Sequence, residues 1–535
     1  MKKLVVTGIM ILIMISEGLS VFGQQPFAVY LQPSVLNIPA THSGAFASRN
    51  GKWFFIGGRI DGLHIMQAMQ AFPAYGRNDS IYIVDPVLNT HVSLDATLLA
   101  PDIYQAVTSS NMQYYQDGSH LYMIGGYGRM ASQNTWITFP SLISVDLDCL
   151  LSAAASGTSP VSCFRQIIDT SMAVCGGMLE KIDSTYQLVF GHRFDGQYAR
   201  TTAMGMFTQQ YTNEIRRFVI HDDGMNLSIS NYTTLSDTTV FHRRDFNLVP
   251  QIFPSGEYGL TAFGGVFQKN ADLPYLTPID ITSATVVHQS GFNQNLSQYT
   301  SAVVPVYDSV YNEMHTLFFG GMSLYTLDTT TQTLVQDTAV PFVNTISKIT
   351  RDATGTLHEF KLPEDMPGLI GSNALFIPEN NLSLFDNRII LLNHLNGLTR
   401  IGYIVGGIQS DHPNIGLLDP ESMSRPNAQV YEVYLDKNVS STNEILIRNT
   451  INDLAVYPNP AKDKFVIEFS VRDNSKTNID LFDLNGKFIR SFLSEENLSG
   501  KQSYQFSLHS IKPGAYLCRV QSGDSVKGVQ LIIGK

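Results

Sequence analysis

The amino-acid sequence predicts an all-β protein: a six-bladed β-propeller followed by a small β-sandwich. Three observations predict it. A short apolar strand ending in a glycine pair, or a close variant, recurs six times between residues 27 and 437. Each copy is followed by a second strand that ends at an acidic residue. Beyond residue 453 the pattern changes to alternating strands, roughly seven in the last eighty or so residues.

The glycine strand appears first as Trp53-Phe54-Phe55-Ile56-Gly57-Gly58 and next as Leu121-Tyr122-Met123-Ile124-Gly125-Gly126. The third copy, Leu188-Val189-Phe190-Gly191-His192, has histidine in place of the second glycine. Copies four to six end at Gly264-Gly265, Gly320-Gly321 and Gly406-Gly407. The partner strands close at Asp85, Asp146, Asp222, Asp280, Asp352 and Asp436, with turn residues after them. An apolar stretch precedes each glycine strand, as in Leu248 to Phe253 or Ala302 to Val306. Each unit therefore reads as four antiparallel strands, a to d, with the glycines closing strand b. One such sheet cannot bury both faces, and radial packing against like sheets solves this while leaving only short edges. Glycine allows positive φ and close backbone approach where the sheets crowd the axis.

A glycine pair after an apolar strand, then a strand ending in Asp, resembles the kelch repeat of β-propellers over residues 27–437. The outer-strand tryptophan usual in kelch blades is mostly missing, since the chain has only Trp53 and Trp136. The sixth unit lacks its own d strand before the polar linker 438–452. The segment Phe27 to Leu31 is expected to supply it. A seventh blade would have to hide between Gly320 and Gly406, the widest of the glycine intervals.

Lys2 and Lys3, then an apolar run from Leu4 to Ile15, read as a signal peptide over residues 1–23, with cleavage near Gln24. No later segment has 18 uninterrupted apolar residues, so no transmembrane segment is expected in the mature chain. The net charge is −11 and no long basic run occurs, which argues against nucleic acid. Export permits a disulfide, and Cys149 and Cys163 bracket a small-residue segment; the alternative is two unpaired buried thiols. No zinc motif, phosphate loop or nucleophile elbow is present, and no metal or cofactor is implied.

The C-terminal segment, 453–535, opens with Tyr457-Pro458-Asn459-Pro460. It has a hairpin signal at Asn485-Gly486, a strand entry at Pro513-Gly514-Ala515-Tyr516, and ends at Lys535. These residues resemble the type A sorting domain of the type IX secretion system of Bacteroidetes, an immunoglobulin-like β-sandwich. The resemblance implies recognition by the type IX secretion machinery at the outer membrane, and a secreted or surface-attached location. In that family the domain is often removed.

In a propeller the b–c loops and the d-to-a connections share one face. That rim is expected to gather Arg59, Asp61 and His64; Arg129; His192, Arg193 and Asp195; His242, Arg243, Arg244 and Asp245; and Asp411 and His412. Arginine forks suit carboxylates, sulfates or sugar hydroxyls. The rim is therefore a candidate binding face for an acidic glycan or a protein. The competing reading is that Arg243 and Arg244 pair with Asp195 and Asp245 as internal staples. A further alternative is a sugar-modifying enzyme, oxidase-like or mutarotase-like, with His192, His242, Cys175 and nearby tyrosines as the residue types of a copper site. A structural or adhesive surface protein is a third. The sequence favours a binding module over an enzyme.

Overall fold

The computed structural model describes residues 27–64, 70–197, 207–296, 300–417, 422–440, 442–448, 450–484 and 486–534. The expected signal peptide, Asn485 and Lys535 lie outside these residues. The described chain is almost entirely β, arranged as a propeller.

Each apolar stretch, glycine strand and acid-ended strand forms consecutive antiparallel strands, as their alternation dictates. The first sheet is Ala45–Arg49, Lys52–Ile56, Ser80–Asp85 and Thr90–Asp95. The second is Gln113–Asp117, His120–Ile124, Ser141–Asp146 and Phe164–Ile168. The third is Met178–Ile182, Thr185–Val189, Glu214–Asp222 and Leu227–Ser236. The fourth is Asn247–Ile252, Tyr258–Phe263, Ile279–Ile281 and Val286–His288. The last sheet takes Leu369–Pro378, Leu398–Ser410 and Gln429–Asp436 from its own repeat and Ala28–Asn37 from the N-terminus, in the register Ala28 opposite Asp436. These five stand as separate sheets. A sixth run, Ala302–Asp308, Glu313–Phe319, Thr345–Arg351 and Leu357–Asp365, lies within a larger seven-stranded sheet.

Neighbouring sheets share apolar cores. Phe54, Ile83, Leu121 and Ile143 join the first two, and Ile124, Leu142, Leu188 and Phe218 join the second and third. Trp53, Phe55, Tyr403 and Val430 join the last sheet back to the first. The glycine pairs are where the sheets touch. Gly58 N–H donates to Ser109 O, Gly126 to Val174 O and Gly321 to Ile370 O, each acceptor lying just before or at the start of the next sheet's first strand. Gly125 and Gly320 have φ of 67° and 62°, and a Cβ on either would sit 1.9 Å from the neighbouring carbonyl. Only glycine fits there.

The long interval between Gly320 and Gly406 holds two excursions. A hairpin, Tyr325–Asp328 and Thr333–Gln336, leaves the ring altogether. A second excursion carries Leu384–Phe385 and Ile389–Leu391 beside Ala302–Asp308, and its Arg388 ion-pairs with Glu180 of the third sheet.

In the C-terminal domain two twenty-residue strands, Lys464–Asp483 and Phe488–Ser507, pair along most of their length. Ile451–Tyr457 adds to the first half of Lys464–Asp483, and Gly514–Ser522 to the second half. The strands thus form one continuous sheet whose two halves close on a shared core of Phe465, Ile467, Leu481, Cys518 and Leu531. No helix among the described residues is long and apolar enough to cross a membrane.

Candidate functional site

The residues just after the glycine pairs bridge back to the approach of the same sheet's first strand; in the third sheet Phe190 and Gly191, φ 51° and 85°, hold the places of the pair, so His192 follows it and does not replace its second glycine. Arg59 pairs with His42, Tyr127 with Ser110, His192 with Cys175 and Val266 with Arg244. The repeat thus places Arg59, Tyr127, His192 and Val266 at equivalent points of one rim.

Most charged groups on this rim are already paired. Arg59, 7% exposed, forks onto Asp61, with Nε to Oδ1 at 2.7 Å, and reaches Pro73 O at 3.1 Å. Arg193 Nε donates to Asp195 at 2.6 Å, and the other Asp195 oxygen accepts Thr138 N–H. Arg244 ion-pairs with Asp245, whose carboxyl is raised by burial against the pull of Arg244. Asp411 holds Arg425 at 2.8 Å, and His412 is exposed. Arg243 is fully buried. It donates to Val240 O, Gly264 O and Thr277 O and stacks on Tyr275 at 4.2 Å. Burial lowers it to about 9, so it stays protonated at neutral pH. The pairings expected of Arg243 with Asp195 or Asp245 are not the ones formed, because backbone carbonyls of its own repeat lie within its reach.

The histidines are equally committed. His64 stacks on Phe72 at 4.4 Å. His42, buried, contacts Asp61 O at 2.8 Å, and burial lowers it to about 4. His192 contacts Gln209 at 2.7 Å and is held well below the usual range by burial, then by Arg244. His242 stacks on Tyr211 at 3.8 Å and contacts Asn213 at 3.0 Å. Cys175 Sγ donates to His192 O, and burial pushes the thiol up to about 12.

Arg129 differs. Its Nη2 donates to Asn134 at 2.7 Å, its guanidinium faces the Trp136 ring at 5.8 Å, and its Nε is buried without a hydrogen-bond partner. It lines a shallow cleft between the first two sheets with Arg59, Phe72, Arg77, Tyr127 and Trp136. Arg77 is tied to Asp79 at 2.6 Å. The hairpin Tyr127–Met130 and Thr135–Thr138 sets Arg129 opposite Trp136. The indole N–H donates to Phe72 O and so fixes the wall of the cleft. Sequence reasoning found Arg59 and Arg129 but missed Phe72, Arg77, Tyr127 and Trp136. The signal was there in one of only two tryptophans and in the repeated Arg-x-Asp spacing of 59–61, 77–79 and 193–195.

Of the sorting-motif residues, Asn459, Gly514 and Tyr516 meet the last strand, Ser525–Ile533. Asn459 accepts Ile532 N–H and donates to Gln530 O, both at 2.8 Å. Tyr457, Pro458 and Pro460 flank it; Tyr457 is half exposed. Gly486, φ 79°, turns between the two long strands, and its N–H donates to Asp483 O. Gly514 opens the strand Gly514–Ser522, and Tyr516 Oη donates to Lys512 O at 2.8 Å. In the connection between Ser141–Asp146 and Phe164–Ile168 of the second sheet, Cys149 and Cys163 are joined, with Cα atoms 5.4 Å apart.

Residues 455–534 match the family described as the secretion system C-terminal sorting domain. A domain of this kind implies handling by the type IX system and a cell-surface or secreted location. A comparison with curated proteins finds no match. Among solved structures, the chain is similar to one titled "Structure of YjhT", at 10% identity and TM-score 0.42, covering 75% of this chain and all of that one. It is also similar to a fungal alcohol oxidase of the AA5 family in complex with copper, at 9% identity and TM-score 0.36, covering 95% and 99%. Scores this low carry no inference about activity.

Proposed function

We propose that this chain is an exported binding module. Its propeller, residues 27–437, is six-bladed and kelch-like, with the run Ala302–Asp365 counted as a blade. It takes an acidic glycan or a protein at the cleft between the first two sheets. A linker, 438–452, then leads to a sandwich-type sorting domain, 453–535, behind a signal peptide at 1–23. The observation that carries the binding reading is the Arg129 guanidinium. It faces an aromatic wall, has no carboxylate partner among the described residues, and keeps one buried donor without a hydrogen bond. A buried donor of this kind is costly unless a ligand or water meets it. An acceptor in the cleft, with Trp136 and Phe72 to stack a sugar face or a side chain, supplies the missing bond. A glycan array probed with the exported chain tests this. Acidic glycans should be retained and neutral analogues lost; an array with no retained glycan argues for a protein ligand or for a purely structural role.

The enzyme reading has one observation in its favour: His192, His242, Tyr211 and Cys175 are neighbours. Their polar atoms, however, are engaged by Gln209, Asn213 and backbone. Among the described residues no cluster of three or more His, Cys, Asp or Glu is placed to hold a metal. Stoichiometric copper in the purified chain would favour the oxidase reading over binding.

A further inference from the structure

The sorting domain does not hang free of the propeller. Its last strand, Ser525–Ile533, pairs on one side with Gly514–Ser522. The other side of that strand is an edge, and an unpaired edge is a template for another chain's strand. Here it is covered twice. The Tyr457–Ala461 segment takes the end at Gln530–Ile533, through Asn459 and the Ala461 bridge to Ile533. The propeller's hairpin takes the start: Leu334, Val335 and Gln336 run parallel to Lys527, Gly528 and Val529. The first cover belongs to the sorting domain itself. The second belongs to the cargo.

Lys527 anchors this second cover. It is fully buried, its Nζ 3.0 Å from Asn295 Oδ1 and 4.7 Å from the Tyr325 ring centroid. The carboxylate of Glu359 accepts Asn295 N–H at 2.8 Å and Leu296 N–H at 2.9 Å, so it shapes the turn that presents Asn295 and adds negative charge near the ammonium. Leu296, Leu324, Tyr325, Leu334 and Ile447 make a small apolar core around it. A buried ammonium needs such partners, because desolvation would otherwise exclude it. The contact is therefore a built socket.

We infer that the hairpin Tyr325–Gln336 is a clasp on the sorting domain. Docked, it covers the edge of Ser525–Ile533 at residues 527–529; lifted, it exposes that edge to an extended strand of a receiving protein, in the manner of strand addition. The inference rests on the export reading, and the test separates the two. In the full chain, the pair Gln336→Cys and Val529→Cys, which are in register, locks the clasp by a disulfide formed after crossing the inner membrane. Gln336→Ser with Val529→Ser is the control. The locked chain should accumulate inside the cell at least tenfold over the control, and export of the locked chain at the control's level would overturn the inference. A second measurement uses Leu334→Asp, which alters only the propeller side. Of amides 527–529, those that face the hairpin rather than Gly514–Ser522 should exchange at least tenfold faster in the purified variant than in the wild type. Unchanged protection there would overturn the clasp even if export responds. Removing residues 455–534 tests the export reading alone: export without them ends that reading, whatever the clasp does.

Discussion

The rim carries three arginines over the first two sheets, Arg59, Arg77 and Arg129, and three over the third and fourth, Arg193, Arg243 and Arg244. In the second group every guanidinium has an internal partner, two through Asp195 and Asp245 and the third through backbone carbonyls, although Arg244 Nε, like Arg129 Nε, makes no hydrogen bond among the described residues. In the first group Arg59 and Arg77 are held by Asp61 and Asp79, and Arg129 has no carboxylate among the described residues. The difference teaches that a local excess of basic residues is not the same as an available one. An Arg two residues before an Asp on a strand places both side chains on one face, where they neutralise each other. Spacing alone does not decide the outcome: Arg243 stands two residues before Asp245 and still takes backbone carbonyls, and Arg244 takes the adjacent Asp245, so availability is set by which acceptors each guanidinium reaches.

The largest loss of stability is expected at Arg243. Arg243→Met leaves the carbonyls of Val240, Gly264 and Thr277 without their donor. The expected cost is about 3–5 kcal/mol, read as a lower denaturation midpoint of the propeller. Unchanged stability would remove Arg243 from the staples. The disulfide sharpens the stability side: Cys149→Ser with Cys163→Ser opens a loop of about 15 residues and should cost about 3 kcal/mol, measured against reduced and oxidised wild type.

Acid comes next. Burial holds His42 neutral, lowered to about 4 from an unfolded value near 6.5. As pH falls from 6.5 towards 4, the unfolded chain takes up a proton that the folded chain refuses. Stability from this group is complete above 6.5 and declines by up to about 1.4 kcal/mol per pH unit below it. His42→Asn should flatten that part of the stability–pH profile between 6.5 and 4; a profile as steep as the wild type's would show that His42 titrates freely. The smallest effect is expected at Arg193, half exposed beside Asp195. Arg193→Ala should change stability by less than about 1 kcal/mol. A larger loss in thermal unfolding would place it among the staples with Arg243.

Much of the ring was legible in the sequence, because each repeat needs its glycines where sheets touch and its alternation where strands lie. Phe27 to Leu31 was legible as the closing strand for the same reason: the last repeat lacked one. The wide interval before Gly406 was legible only as an excess of residues. That one part of it leaves the ring to pair with Lys527–Val529 depends on contacts across nearly 200 residues, and no local pattern records those. The site was half legible. Residue types and rim placement followed from the repeat, whereas partner choice depended on side-chain reach, as Arg243 shows by taking carbonyls instead of Asp195 or Asp245. Trp136 escaped because its role rests on a short hairpin between strands b and c, outside the repeat. The C-terminal domain was the most legible region, since its Tyr457-Pro458-Asn459-Pro460 opening is a local motif whose asparagine contacts the last strand directly.

The most direct test of the binding account compares Arg129→Ala with Arg193→Ala on a glycan array, both as exported full chains with wild-type melting behaviour. The account predicts that Arg193→Ala retains the wild-type set of acidic glycans and that Arg129→Ala loses it by at least tenfold in signal. Retention by Arg129→Ala, or loss by Arg193→Ala alone, would contradict it.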